Sequence, residues 1–222
     1  MKLSYIEIEP PEPADGCIIW LHGLGAYGKE FEPVVPHMHL STVRFVFPQS
    51  LDLPVTINGG VEMPAWFDIR TLNDDPRRES QEDIALSAKL LQDIIDEQIA
   101  KGIPSWRIIL VGFSQGGAMA LHVGLRAEQK LLGIACLSGY LLNPNLLQLE
   151  ESAENRSTPL FFAHGRRDLV VLYEKGLRAY RASKNFSRES IWNPYPVGHE
   201  LCMTELADLR DWFHTLFGGE YL

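Results

Sequence analysis

The chain has 222 residues, 45% of them hydrophobic and 22% charged, and a formal net charge of −9. That length suits one domain, 1–222, able to bury a full core without metal or disulfide staples. The acidic balance argues against a nucleic-acid partner, which needs a basic face. Cys17, Cys136 and Cys202 are too few and too widely spaced for a disulfide framework or a zinc site.

In chain order, residues 3–8 alternate apolar and polar and read as an edge strand rather than a signal peptide. Residues 17–21 form a continuous apolar run, a buried strand, ending in His22-Gly23-Leu24-Gly25. A glycine-rich turn there lets backbone N–H groups approach a ligand. Residues 29–38 read as a short helix weakened by Pro33 and Pro36, and 43–47 as a third strand closed by Pro48.

Residues 48–78 show no convincing periodicity and are read as a binding loop or lid. Leu51, Leu53, Val55, Ile57, Met63, Trp66 and Phe67 either line an apolar groove or tuck this stretch onto the body. Ser80, as N-cap, opens a helix whose apolar positions Ile84, Ala88, Leu91, Ile95 and Ile99 recur at helical spacing. Gly102 and Pro104 end it. Further strands are expected at 107–111, 132–138, 160–163 and 189–195, and helices at 118–126, 173–184 and 203–217, with a short helix and loop within 143–157. This alternation forces a mostly parallel sheet with helices on both faces. No apolar run approaches the ~20 residues of a membrane span, so a cytoplasmic protein is expected.

Gly112-Phe113-Ser114-Gln115-Gly116-Gly117 sits at a strand-to-helix turn. Such a G-x-S-x-G frame projects the serine oxygen above the sheet, and the following helix aims its free N–H groups at the site. A serine hydroxyl needs an imidazole to take its proton and an acid to orient that imidazole. Asp168 and His199 lie at later strand ends, in the chain order Ser…Asp…His that this turn uses. His164 competes for the base, though the glycine after it suits a turn. Asp208 and Asp211 compete for the acid by proximity to His199. His22 is read as shaping its loop, and His122 and His214 as structural. His37 and His39 lack a third ligand, so no metal site is expected.

These motifs resemble the acyl-protein thioesterase and carboxylesterase family of α/β-hydrolases, also called phospholipase/carboxylesterase. The resemblance runs from about residue 16 onward. It rests on Leu21-His22-Gly23-Leu24-Gly25, Thr56-Ile57-Asn58-Gly59-Gly60, Trp66-Phe67-Asp68, the serine turn, His164-Gly165 with Asp168 and Val170-Val171, and Gly198-His199. It implies an α/β-hydrolase fold, a triad of Ser114, Asp168 and His199, and an oxyanion hole from the backbone N–H groups of Leu24 and Gln115. It implies hydrolysis of medium-to-long acyl esters or thioesters, of lipids or acylated proteins, without a cofactor, and suggests a homodimer. Leu53, Val55, Met63, Trp66 and Phe67 are the expected acyl-groove residues. A lysophospholipase with the same triad and a non-catalytic binding module are the alternatives. Leu172 stands where the family commonly has proline, and Pro196-Val197 where it often has methionine, so the groove is where this chain departs.

Overall fold

The computed structural model describes residues 2–71, 78–184 and 188–218, and no side chain at 148. Its strands are β1 (Tyr5–Ile8), β2 (Gly16–Leu21), β3 (Val43–Pro48), β4 (Asp52–Val55), β5 (Val61–Pro64), β6 (Ile108–Phe113), β7 (Gly133–Leu137), β8 (Leu160–Gly165) and β9 (Ser190–Tyr195). The α-helices are α1 (Val35–Met38), α2 (Gln81–Ala100), α3 (Gln115–Arg126), α4 (Leu147–Glu150), α5 (Tyr173–Ser183) and α6 (Met203–Phe217).

Seven strands form one sheet in the order β1-β3-β2-β6-β7-β8-β9. Only β1 runs antiparallel, pairing Tyr5 with Pro48 and Ile8 with Phe45. Alternate residues of each inner strand face opposite sides, as the pleat requires. Cys17, Ile19, Leu21, Leu110, Ile134 and Phe162 pack with residues of α2, α3 and α5. Ile18, Trp20, Ile109, Val111, Ala135 and Phe161 pack on the other face with Met38, Leu209 and Phe213. Both faces are therefore covered, which is why these strands read as continuous apolar runs. The fold is α/β, with a mostly parallel sheet between helical layers.

Local departures from the sequence reading have local causes. Residues 28–34 form a 3-10 helix rather than an α-helix, since Pro33 lies inside it, and α1 adds a single turn. The serine helix begins at Gln115, three residues earlier than expected. The 48–78 stretch is not a structureless lid. It contains the antiparallel hairpin β4–β5, turned by Gly59 and Gly60 at φ 71° and 78°, values that favour glycine. Asp68 anchors the hairpin by accepting from the Thr56 N–H and hydroxyl, both at 2.7 Å. Prolines at 54 and 64 and strands of four residues hide this hairpin from a periodicity test. Residues 72–77 of the expected lid lie outside the described residues.

Candidate active site

Ser114 follows β6 and caps α3 with φ 57° and ψ −119°, a strained conformation for any residue with a side chain. The Ser114 N–H donates to Leu137 O at 2.8 Å, which pins the turn to β7. The flanking glycines leave no room for a side chain. A Cβ on Gly112 would lie 2.1 Å from Gly116 O, and one on Gly116 would lie 2.4 Å from Leu21 O. The tight strand-turn-helix packing thus holds the hydroxyl in place.

His199, in the loop between β9 and α6, brings Nε2 to 2.8 Å from Ser114 Oγ. Its Nδ1 lies 2.7 Å from Asp168 Oδ2. A carboxylate only accepts, so Nδ1 carries the proton and Nε2 is free to accept the serine hydroxyl. The imidazole ring rests against Phe113, centroids 4.9 Å apart. Asp168 follows β8, and its side chain is fully buried. Its other oxygen, Oδ1, accepts the Val170 and Val171 N–H groups at 2.8 and 2.9 Å. These fixed donors solvate the buried carboxylate and set its orientation.

Two neighbouring backbones hold the imidazole loop against the acid loop. Arg167 N–H donates to Val197 O at 3.0 Å, and its guanidinium donates to Pro196 O. A Cβ on Gly165 would lie 2.0 Å from Gly198 O. Arg167 thus ties the two loops together.

The oxyanion-hole expectation names two backbone donors. Gln115 N–H is the first of α3, where a helix leaves N–H groups without internal partners. Gly23, beside Leu24, packs directly on the nucleophile: a Cβ there would meet Ser114 Cβ at 3.4 Å. Neither the Leu24 nor the Gln115 N–H donates to another backbone group outside regular elements among the described residues. His22 fixes the loop from within. Its Nδ1–H donates to Gly23 O at 2.7 Å and its Nε2 accepts from Ser50 N–H at 3.1 Å. Burial holds its pKa below the usual imidazole value.

The other titratable residues separate by environment. His164 does not reach the serine; its Nε2–H donates to Val171 O at 2.8 Å, and burial keeps its pKa low. His122 is buried and pushed down to about 3 by desolvation, helped by Arg126. His214 donates to Met38 O at 2.9 Å. Asp208, half-buried, accepts the Tyr195 hydroxyl at 2.7 Å, and Asp211 pairs with Arg210. Burial pushes the Cys136 thiol up to about 12, so it is inert. Among the described residues no group of three or more His, Cys, Asp and Glu is placed to hold a metal.

The expected groove residues divide. Val55, Trp66 and Phe67 have no exposed surface. Trp66 and Phe67 belong to the core cluster beneath the helices, so they anchor this stretch rather than wall an open groove. Their large apolar side chains were equally consistent with both roles. Leu53 and Met63 are partly exposed and face each other across the hairpin. Met63 Sδ lies 3.6 Å from where a Cβ on Gly25 would stand, placing it beside the expected oxyanion loop.

The sequence profile of a phospholipase/carboxylesterase family matches residues 4–217. An acyl-protein thioesterase 1 of Neurospora crassa is 37% identical over 205 residues, 87% of this chain and 84% of that protein. The crystal structure of Arabidopsis thaliana SOBER1 superposes with a TM-score of 0.84 at 30% identity, covering 91% of this chain and 99% of that one. Acyl-protein thioesterase 2 of Zea mays gives a TM-score of 0.86 at 26% identity, covering 97% and 99%. Among the described residues no helix is long and apolar enough to cross a membrane.

Proposed function

The chain belongs to the phospholipase/carboxylesterase family of α/β-hydrolases and is an ester-bond hydrolase; from that premise we propose a serine carboxylesterase and thioesterase working through an acyl-enzyme. The observation that carries this reading is the continuous relay Ser114–His199–Asp168, with contacts of 2.8 and 2.7 Å.

In that reading Ser114 Oγ attacks the acyl carbonyl carbon as His199 Nε2 takes the hydroxyl proton. The carbonyl oxygen becomes an oxyanion held by the Leu24 and Gln115 N–H groups. Collapse breaks the bond to the leaving alcohol or thiol, which takes the proton from His199. Water then attacks the acyl-serine as His199 takes its proton. The second tetrahedral species releases the carboxylic acid, and the proton returns to Ser114 Oγ. Asp168 stabilises the transient imidazolium and holds its tautomer. No cofactor enters this scheme.

The acyl chain is medium to long. Leu53 and Met63 supply apolar surface beside the oxyanion loop, and each buried methylene adds up to about 0.8 kcal/mol. Acyl-protein thioesterases among its relatives favour the thioester of an acylated protein as substrate, with the protein thiol as the leaving group.

The test is hydrolysis of p-nitrophenyl esters of increasing chain length, and of an S-acylated peptide, by wild type and Ser114→Ala. Turnover of both classes by the wild type alone, with fluorophosphonate labelling confined to it, is expected. Labelling that persists in Ser114→Ala would assign a different nucleophile. Release of fatty acid from lysophosphatidylcholine in place of thioester cleavage would favour a lysophospholipase.

A further inference from the structure

The two expected oxyanion donors belong to different parts of the chain. Leu24 follows β2, and Gln115 opens α3. A fixed distance between them is needed for both to reach one oxygen. A buried chain of hydrogen bonds connects them through Trp66. Gln115 Oε1 accepts the Trp66 backbone N–H at 2.8 Å. Gln115 Nε2 donates to Phe67 O at 2.7 Å. The Trp66 indole N–H then donates to His22 O at 2.8 Å. His22 O lies in the loop that leads directly to Leu24.

Other contacts hold the middle of this bridge still. Ser87, on α2, donates its hydroxyl to Trp66 O at 2.6 Å. Gly25 N–H donates to Pro64 O at 2.8 Å, so the oxyanion loop is also tied to the residues just before Trp66. Trp66 is fully buried and Gln115 is 2% exposed, so water does not compete for these bonds. Every polar atom of the Gln115 amide is used on the backbone of residues 66 and 67, none on solvent.

We propose that Trp66 and the Gln115 side chain are positioning residues that brace the two halves of the oxyanion hole against each other. The brace rests on the esterase reading for its purpose, but not for its existence. One residue serves twice: the Gln115 backbone faces the reacting oxygen while its side chain sets where the opposing donor stands. Misplacing a donor by about 1 Å can cost on the order of a hundredfold in rate, so a brace of this kind matters even though it touches no substrate.

Trp66→Phe removes the indole donor and keeps an aromatic ring. Trp20→Phe is the matched control, because Trp20 is equally buried and its indole nitrogen has no hydrogen-bond partner among the described residues. Hydrogen-exchange mass spectrometry on both, with melting curves, reads the brace without reference to activity. Trp66→Phe is expected to speed exchange across 22–26 by about tenfold relative to Trp20→Phe, at comparable loss of Tm. Gln115→Met is expected to loosen 64–68 as well. In kinetics, Trp66→Phe is expected to lower kcat about tenfold or more with KM nearly unchanged. The affinity for a trifluoromethyl ketone analogue of the substrate is expected to fall in step. Equal exchange across 22–26 in folded Trp66→Phe and Trp20→Phe overturns the brace. Normal kcat in Trp66→Phe with accelerated exchange overturns its catalytic purpose. A wild type without ester hydrolysis, but with the exchange effect intact, defeats the esterase reading and leaves the brace standing.

Discussion

His164 Nε2 lies 3.5 Å from Asp168 Oδ2 but spends its proton on Val171 O at 2.8 Å. The nearer histidine in sequence therefore supports the turn that carries the acid, and the distant His199 takes the carboxylate. This division leaves Asp168 Oδ1 to two backbone N–H groups and Oδ2 to the His199 imidazole.

Asp168→Asn retains an acceptor for the Val170 and Val171 N–H groups but places an amide against His199 Nδ1. The ring then favours the tautomer with its proton on Nε2, facing Ser114. In a serine protease that exchange costs on the order of 10⁴ in turnover. A loss of at least about a hundredfold in kcat with little change in Tm is expected here. Asp208→Asn keeps an acceptor for the Tyr195 hydroxyl and Asp211→Asn breaks an exposed ion pair, so both stay near wild type. Steady-state kinetics on the three variants separates them; an inactive yet folded Asp208→Asn would reassign the acid.

Backbone strain at Ser114 gives a stability prediction of opposite sign to activity. Residues held in such sparsely populated conformations cost about 1–3 kcal/mol, and glycine escapes much of that cost. Ser114→Gly is expected to be inactive and to melt a few degrees above the equally inactive Ser114→Ala. Comparable melting points for the two would show an unstrained turn.

Gly165→Ala tests the contact between the acid and imidazole loops. Its Cβ would stand 2.0 Å from Gly198 O, a backbone atom that cannot swing aside. The loop carrying His199 must move, and the Ser114–His199 contact with it. A fall in kcat larger than the fall in Tm explains is expected, measured at a temperature where circular dichroism shows the variant folded.

Glu205, fully buried in the first turn of α6, has its pKa raised from 4.5 to about 8 by desolvation and by nearby Asp208. The folded state therefore holds a proton that the unfolded chain releases. The stability this contributes is complete below pH 4.5 and is lost as pH rises through about 8. Glu205→Gln removes the titration. Its Tm relative to wild type is expected to climb between pH 5 and pH 9, on the scale set by that linkage. Parallel melting profiles would refute the shift.

The hairpin and Trp66 give contrasting truncations. Met63→Ala and Leu53→Ala remove partly exposed surface and are expected to weaken the preference for longer acyl chains with little change in Tm. Trp66→Ala empties a core site and is expected to destabilise by about 3–5 kcal/mol. A chain-length series and thermal melts distinguish the two effects. Unchanged chain-length preference in Met63→Ala and Leu53→Ala would remove the hairpin from the acyl site.

Strand and helix assignment was legible from the sequence because it rests on neighbours. The apolar runs at 17–21, 108–111 and 160–163 lie in buried strands, Arg107 ending a 3-10 turn just before β6, and Ser80 caps a helix through Asp83 N–H. The strained serine turn was legible for the same reason: Gly112 and Gly116 are excluded from being anything larger by atoms a few residues away and by the adjacent strand. Residue types alone left His164 and His199, and three aspartates, in competition. Their hydrogen bonds separate them: His164 donates to Val171 O, Asp208 accepts from the Tyr195 hydroxyl and Asp211 pairs with Arg210, whereas His199 meets both Ser114 and Asp168. The hairpin at 52–64 was hidden by prolines that pairing in an open two-stranded ribbon tolerates. Trp66 was the residue least decidable from sequence. A large aromatic in a loop fits a groove wall and a core anchor equally well. Its complete burial in the core, with N–H groups bonded to Gln115 from forty-nine residues ahead and His22 from forty-four behind, distinguishes the two. Such contacts depend on chain closure across the whole sheet, which no local pattern encodes.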